Sequence, residues 1–163
     1  MLLELLPDLP DQPGGDRAGR GAALVAAAHP DMDAGVRADA VAEALRTLDH
    51  PDAAPFLAPD ALAEATLSAD LPGGARMIGR LDRLIVAPGR LRLLDWKTGP
   101  VPPATPEAYL RQMAGYRAAL AAVYPEAEIE AALFWTSAQR LEVLDPAALD
   151  AAFGRAVAAL KTG

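Results

Sequence analysis

The 163-residue sequence contains no cysteine. That excludes a disulfide framework, a thiolate zinc site and an iron–sulfur cluster within it. No stretch is apolar for the roughly 18 residues that a membrane span needs. The first ten residues carry Glu4 and Asp8 and no basic side chain, which is not the pattern of a secretory signal. There is no G-x-x-x-x-G-K-[ST], so a P-loop motor is excluded from the chain. Cytoplasmic residence fits these absences. Lysine is scarce: of 15 lysines and arginines, only Lys97 and Lys161 are lysine. The two histidines, His29 and His50, each precede a proline and read as solvated loop residues. Apolar residues make up 52% of the chain, which argues against disorder, and the length suits one domain with a real core.

The net charge of −7 runs against binding to a polyanion, but its distribution does not. Residues 1–75 carry −9 and residues 118–163 carry −3, whereas residues 76–117 carry +5. Arg76, Arg80, Arg83, Arg90, Arg92, Arg111 and Arg117 lie in that positive segment. They are available to meet phosphates; the alternative is that several pair with the acidic flanks.

The positive segment holds the most informative stretch, Ile78 to Thr98. Two alternating runs flank Ala87-Pro88-Gly89-Arg90, and alternation with a Pro-Gly turn predicts a β-hairpin. If Ala87 faces Arg90, then Val86 faces Leu91, Leu84 faces Leu93, and Asp82 faces Asp95. Lys97 then points to the same side as Asp95. Two opposed carboxylates at the end of an apolar stripe repel each other and need a counter-charge. Lys97 supplies one. A hard divalent cation, Mg²⁺ or Mn²⁺, would supply more. A lysine in so arginine-biased a chain suits a compact point charge rather than a planar fork. Against this stands the ordinary reading of Asp and Lys at strand ends as solvated surface residues.

The remaining elements follow from pattern. Asp16 to Ala28 is a helix ended by His29-Pro30-Asp31, and Asp33 to Leu48 is a second. Val36, Ala40, Val41, Ala44, Leu45 and Leu48 form its apolar stripe, and its acidic face points to solvent. Pro51 to Pro59 reads as a loop, Ala63 to Asp70 as a strand, and Leu71 to Gly74 as a turn. Thr105 and Pro106 open a helix as N-cap and first residue. That helix runs to about Val123 on a stripe of Tyr109, Met113, Tyr116, Leu120 and Val123. Gln112 and Tyr116 share one face of it. Ile129 to Thr136 and Leu141 to Leu144 are strands, and Asp145-Pro146 opens a last helix.

Gly79-Arg80-Leu81-Asp82, Asp95-Trp96-Lys97-Thr98-Gly99 and Gln112-Met113-Ala114-Gly115-Tyr116 occur in that order. Together they resemble the G-x-x-D, D-x-K-T and Q-x-x-x-Y motifs of the RecB-like branch of the PD-(D/E)XK nuclease superfamily. Tyr109 to Gln112 and Leu133 to Thr136 are similar to the nuclease domain of AddA-type helicase–nucleases, and the resemblance covers almost the whole chain. It implies an α/β fold, with a PD-(D/E)XK nuclease-like mixed β-sheet of about five strands flanked by helices. A helical part spans residues 1–60 and a nuclease core residues 61–163.

The resemblance further implies that Asp82, Asp95 and the Trp96 carbonyl hold Mg²⁺ or Mn²⁺, with Lys97 beside it acting on water. Trp96 itself points into the core. A Glu often stands near the site where Glu64 lies; a surface Glu is the alternative. Gln112 and Tyr116 steady the substrate strand or the lysine. The implied reaction is hydrolysis of DNA phosphodiesters, as an exonuclease on single strands in double-strand break repair. An AddB-like partner subunit and a helicase motor would lie outside this chain. In that family a metal-ligating His precedes the match to Met1–Pro7, so the expectation is a fragment lacking one ligand. A DNA-holding or subunit-docking module is the non-catalytic alternative.

Overall fold

The computed structural model describes residues 16–70 and 76–160. The sequence readings of Met1 to Pro7 and of Leu71 to Gly74 lie outside those residues. Two helices open the described chain, α1 (Arg17–Ala28) and α2 (Ala34–Leu48). Asp16 and Asp33 cap them by accepting hydrogen bonds from the backbone N–H groups of Gly19 and Gly35, respectively. A short helix follows, α3 (Ala54–Leu57), in what the sequence suggests is a loop. Its Phe56 is fully buried, and burial of that ring fixes a segment too short for periodicity to reveal.

Strands β1 (Leu62–Asp70), β2 (Arg76–Ala87) and β3 (Arg90–Lys97) come next, then helix α4 (Glu107–Val123). Strands β4 (Glu128–Trp135) and β5 (Arg140–Val143) precede the last helix, α5 (Pro146–Leu160). The sheet runs β1-β2-β3-β4-β5; β3 and β4 are parallel and every other pair is antiparallel. The expected mixed sheet of five strands flanked by helices is therefore observed. A parallel pair requires a crossover, and α4 supplies it between β3 and β4.

Helices α4 and α5 cover one face of the sheet. Leu81, Leu84, Leu91, Leu93, Met113, Tyr116, Leu120, Leu133 and Leu149 form the main core there. On the other face Phe56 packs with Leu94 and Phe134, and Trp96 joins it to Leu24, Ala44 and Leu48 of α1 and α2. Trp96 meets Phe134 edge to face, with centroids 5.5 Å apart, so it does point away from α4.

Some local expectations are corrected. The N-cap of α4 is Pro106, which makes no side-chain cap; Thr105 instead hydrogen-bonds Glu142 of β5. Val36, Val86 and Val123 are each about half exposed, because their stripes extend past the edge of what they pack against. Glu43 on the acidic face of α2 is not purely solvated: it accepts a 2.5 Å hydrogen bond from the Thr136 hydroxyl. The His50 ring packs edge-on against Phe134, and its Nδ1 accepts from the Asp52 N–H, so it is not a freely solvated loop residue.

Candidate active site

The β2–β3 hairpin has the anticipated register, with Ala87, Val86 and Leu84 opposite Arg90, Leu91 and Leu93. Gly89 takes φ +71, the left-handed backbone such a turn demands of its glycine. The ladder ends at Arg83 and Leu94, one pair short of Asp82 and Asp95. The two carboxylates therefore do not form a ladder pair. Instead Asp82 Oδ2 accepts a 2.9 Å hydrogen bond from the backbone N–H of Trp96. The side chain thus ties β2 to β3 where the backbone ladder has stopped.

The alternation of β2 also slips here. Met77 and Leu81 face α4, and so does Leu84, an odd number of residues further on. Asp82 sits at the slip. Across from it on β1, the partner position is Glu64, between the pairs Ala63↔Arg83 and Ala65↔Leu81. Glu64 has φ +53, a conformation that costs a non-glycine residue roughly 1–3 kcal/mol. Irregular, strained strand positions cluster beside functional sites. Glu64 Oε2 pairs with Arg80 at 2.5 Å, while its Oε1 is buried without a hydrogen-bond partner.

Asp95, Lys97, Gln112 and Tyr116 form one continuous network. Lys97 Nζ lies 2.6 Å from Asp95 Oδ2 and donates to Gln112 Oε1 at 3.2 Å. Gln112 Nε2 donates to Asp95 Oδ1 at 3.0 Å and to the Tyr116 hydroxyl at 3.3 Å. That hydroxyl donates in turn to the Arg80 carbonyl at 3.0 Å. The helical spacing of Gln112 and Tyr116 thus lays one pair of side chains across three strand positions. The Asp95 and Lys97 side chains are only 8% and 12% exposed, so neither is a solvated strand-end residue. Burial at this level makes pairing obligatory, because an unpaired charge would be heavily penalised.

Three contacts were not visible in the sequence. The Lys97 ammonium lies 3.9 Å from the centroid of the Tyr109 ring, a cation–π contact made by a residue that its spacing marks only as core. Gly79 packs against Tyr116: a Cβ there would come closer than 3.0 Å to Cε1 of the ring. The Lys97 carbonyl accepts from the Thr136 N–H at 2.9 Å, and Thr136 is itself held by Glu43. Of the seven arginines in the positive segment, Arg80, Arg90, Arg92 and Arg117 pair with carboxylates.

The donor set suits a hard divalent cation. Asp82 and Asp95 lie on adjacent strands, and Glu64 offers an orphaned buried oxygen beside Asp82. Among the described residues, no three Asp, Glu, His or Cys side chains converge tightly enough to hold a metal unaided. Mg²⁺ is commonly bound through one or two carboxylates and several waters, so two carboxylates are enough.

The described chain is thus a mixed five-stranded α/β sheet with two aspartates and a lysine gathered where β2 parts from β3. Residues 5–160 match the family model of the PD-(D/E)XK nuclease superfamily, and the chain belongs to that superfamily. Its members generally use divalent metals. No curated protein matches the sequence. Among solved structures, the crystal structure of SSO0001 is similar over 99% of this chain and 85% of that one, at 16% identity and a TM-score of 0.41. No helix among the described residues is long and apolar enough to cross a membrane.

Proposed function

We propose that this domain hydrolyses single-stranded DNA as a metal-dependent exonuclease, in the manner of the nuclease domain of an AddA-type repair enzyme with an AddB-like partner. The observation that carries the reading is the buried network of Asp95, Lys97, Gln112 and Tyr116 beside Asp82. Its parts are the three motifs that resemble the RecB-like branch, brought together from β2, β3 and α4.

Asp82, Asp95 and the Trp96 carbonyl would hold Mg²⁺ or Mn²⁺, with water completing the shell and Glu64 standing beside Asp82 as a further oxygen. When bound, such an ion lowers the pKa of its water and neutralises charge that develops on the phosphate. Lys97 brings a fixed positive charge to the same place, preorganised by Asp95 and Gln112 so that little rearrangement is needed during reaction. Gln112 sets the orientation of both charged groups, since it donates to one and accepts from the other. Tyr116 fixes Gln112 and anchors β2 through the Arg80 carbonyl.

The test is cleavage of end-labelled single-stranded DNA with Mn²⁺ by this chain and its Lys97→Ala variant, with Mn²⁺ uptake measured in parallel. Cleavage that disappears in the variant is expected. Equal cleavage by both would overturn the site assignment. No cleavage by either, together with no Mn²⁺ uptake, would favour the DNA-holding or subunit-docking module instead.

A further inference from the structure

Lys97 is the last residue of β3, and its register partner Trp135 is the last of β4. Strand ends fray, because the backbone there has few neighbours to hold it. The Thr98–Gly99 segment that follows is exposed, so it gives Lys97 no packing support. Yet the Lys97 ammonium is held in one place by Asp95, Gln112 and the Tyr109 ring, which requires a fixed backbone beneath it. The β4–β5 turn supplies that hold. The Thr136 N–H donates to the Lys97 carbonyl at 2.9 Å, and the Ser137 hydroxyl donates to the Gly99 carbonyl.

Helix α2 grips this turn. The Thr136 hydroxyl donates to Glu43 Oε1 at 2.5 Å. The Gln139 amide donates to the Thr47 hydroxyl at 2.9 Å and to the Thr136 carbonyl at 2.5 Å, and Thr47 donates onward to the Glu43 carbonyl at 3.0 Å. Thr47 and Thr136 are buried, where an unpaired hydroxyl is costly, so the network sets both side chains. Gln139 shows that the grip is specific. It takes φ +50, a conformation easy for glycine and strained for any side chain. The β2–β3 turn meets the same demand with Gly89, at φ +71. In the β4–β5 turn a glutamine stands there instead, and its side chain makes two bonds that glycine could not.

Resting on the nuclease reading above, we infer that Glu43 and Gln139 are positioning residues for Lys97, forming a clamp between α2 and the β4–β5 turn that fixes the end of β3. The Lys97 side chain meets α4, whereas α2 packs on Trp96, on the opposite face of the sheet. The clamp therefore touches neither the ammonium nor its partners, and reaches Lys97 only through the backbone of β3. On this view α2 is a working part of the site rather than a cover over the sheet.

The scarcity of lysine supplies the test. Labelling lysine ε-carbons with ¹³C gives two NMR signals, and Lys161→Arg identifies the one from Lys97. Its ammonium lies 3.9 Å from the Tyr109 centroid, so its ε-methylene protons should resonate upfield of an ordinary lysine's. Glu43→Leu and Gln139→Gly are expected to move that signal toward the ordinary position. Mn²⁺-dependent turnover should fall on the order of ten- to a hundredfold with KM little changed, the scale of a misplacement of about 1 Å. Gln139→Gly should stay folded in thermal melts, since glycine relieves the strained φ. Glu43→Gln keeps an oxygen acceptor for Thr136 and should restore both the signal and the turnover. A Lys97 signal that stays put in either folded variant overturns the clamp whatever the cleavage does, and so does one that Glu43→Gln fails to restore. A signal that moves in a chain that cleaves no DNA upholds the clamp and counts against the nuclease reading alone.

Discussion

Gly79→Ala tests the packing on which the site rests. The added methyl would lie closer than 3.0 Å to Cε1 of Tyr116 and 3.3 Å from its Cζ and hydroxyl. The obstacle is the middle of a rigid ring rather than the end of a flexible chain. Tyr116 is 7% exposed and cannot swing into solvent without leaving the core. Overpacking of this kind costs about 1–3 kcal/mol. If the ring shifts, its hydrogen bonds to the Arg80 carbonyl and from Gln112 lengthen, at about 0.5–1.5 kcal/mol for each one lost. Removing a glycine from the unfolded chain offsets about 0.4–1 kcal/mol. The net expectation is a loss of about 2 kcal/mol, or roughly 4–8 °C in Tm for a domain of this size. Thermal and urea unfolding of the wild type, Gly79→Ala, Tyr116→Ala and the double variant supply the assay. In the Tyr116→Ala background the obstacle is gone, so the glycine substitution should become neutral or slightly stabilising. A Gly79→Ala chain as stable as the wild type, or a cost that persists without the Tyr116 ring, refutes the reasoning.

Gln112→Leu removes the acceptor for Lys97 and the donor to Asp95; turnover should fall tenfold or more with KM little changed, alongside a stability loss of about 1–3 kcal/mol. Steady-state kinetics and urea melts together check it. Lys97→Met leaves the Asp95 carboxylate buried without its counter-charge and should cost about 3 kcal/mol at neutral pH. Adding Asp95→Asn to that variant should recover most of the loss, and failure to recover would show that the cost is not electrostatic. For Glu130, burial pushes the carboxyl up, but hydrogen bonds from Arg92 and Arg90 outweigh it and hold its pKa below the ordinary value. A depressed carboxyl stabilises the fold above its unfolded pKa and loses that contribution as pH falls through the folded one. The stability gap between wild type and Glu130→Gln should therefore be full at pH 7 and shrink as pH drops below about 4.5. A gap independent of pH would contradict the assignment.

Much of this was legible in the sequence, for physical reasons. The hairpin register could be read because alternation names the faces and Pro88-Gly89 fixes the turn between them. The polar network could be anticipated only through resemblance, since Gln112 and Tyr116 are separated from Asp95 by a crossover that no local rule aligns. What failed to show was long-range. The slip at Asp82 arises where β2 parts from β3, so extending the alternation from Leu84 gave Asp82 the wrong relation to Asp95. The Gly79–Tyr116 contact joins residues 37 positions apart. Helical spacing identified the stripes of α2 and α4 but not how far their partners extend, which is why Val36 and Val123 lie outside the core. Thr105 looked like a cap by type, and Glu142 took its hydroxyl instead.

The geometry also says how Asp95 can serve a lysine and a cation together. An ionised carboxylate has about four lone-pair sites. Lys97 engages one on Oδ2 and Gln112 one on Oδ1, which leaves a site on each oxygen. On the proposed reading, metal can therefore be added to Asp95 without displacing Lys97. The ammonium is more constrained. Its three N–H directions are directed to Asp95, to Gln112 and over the Tyr109 ring. To donate to a reacting oxygen it must give up one of them. Hydrogen bonds to charged groups contribute about 1.5–3 kcal/mol, against about 0.5–1 kcal/mol for a cation–π contact at a partly exposed ring. The donor over Tyr109 is thus the one free to exchange, and Asp95 and Gln112 hold the other two in place while it does. The carboxylate and the amide fix where the charge sits, and the aromatic ring keeps its third proton available.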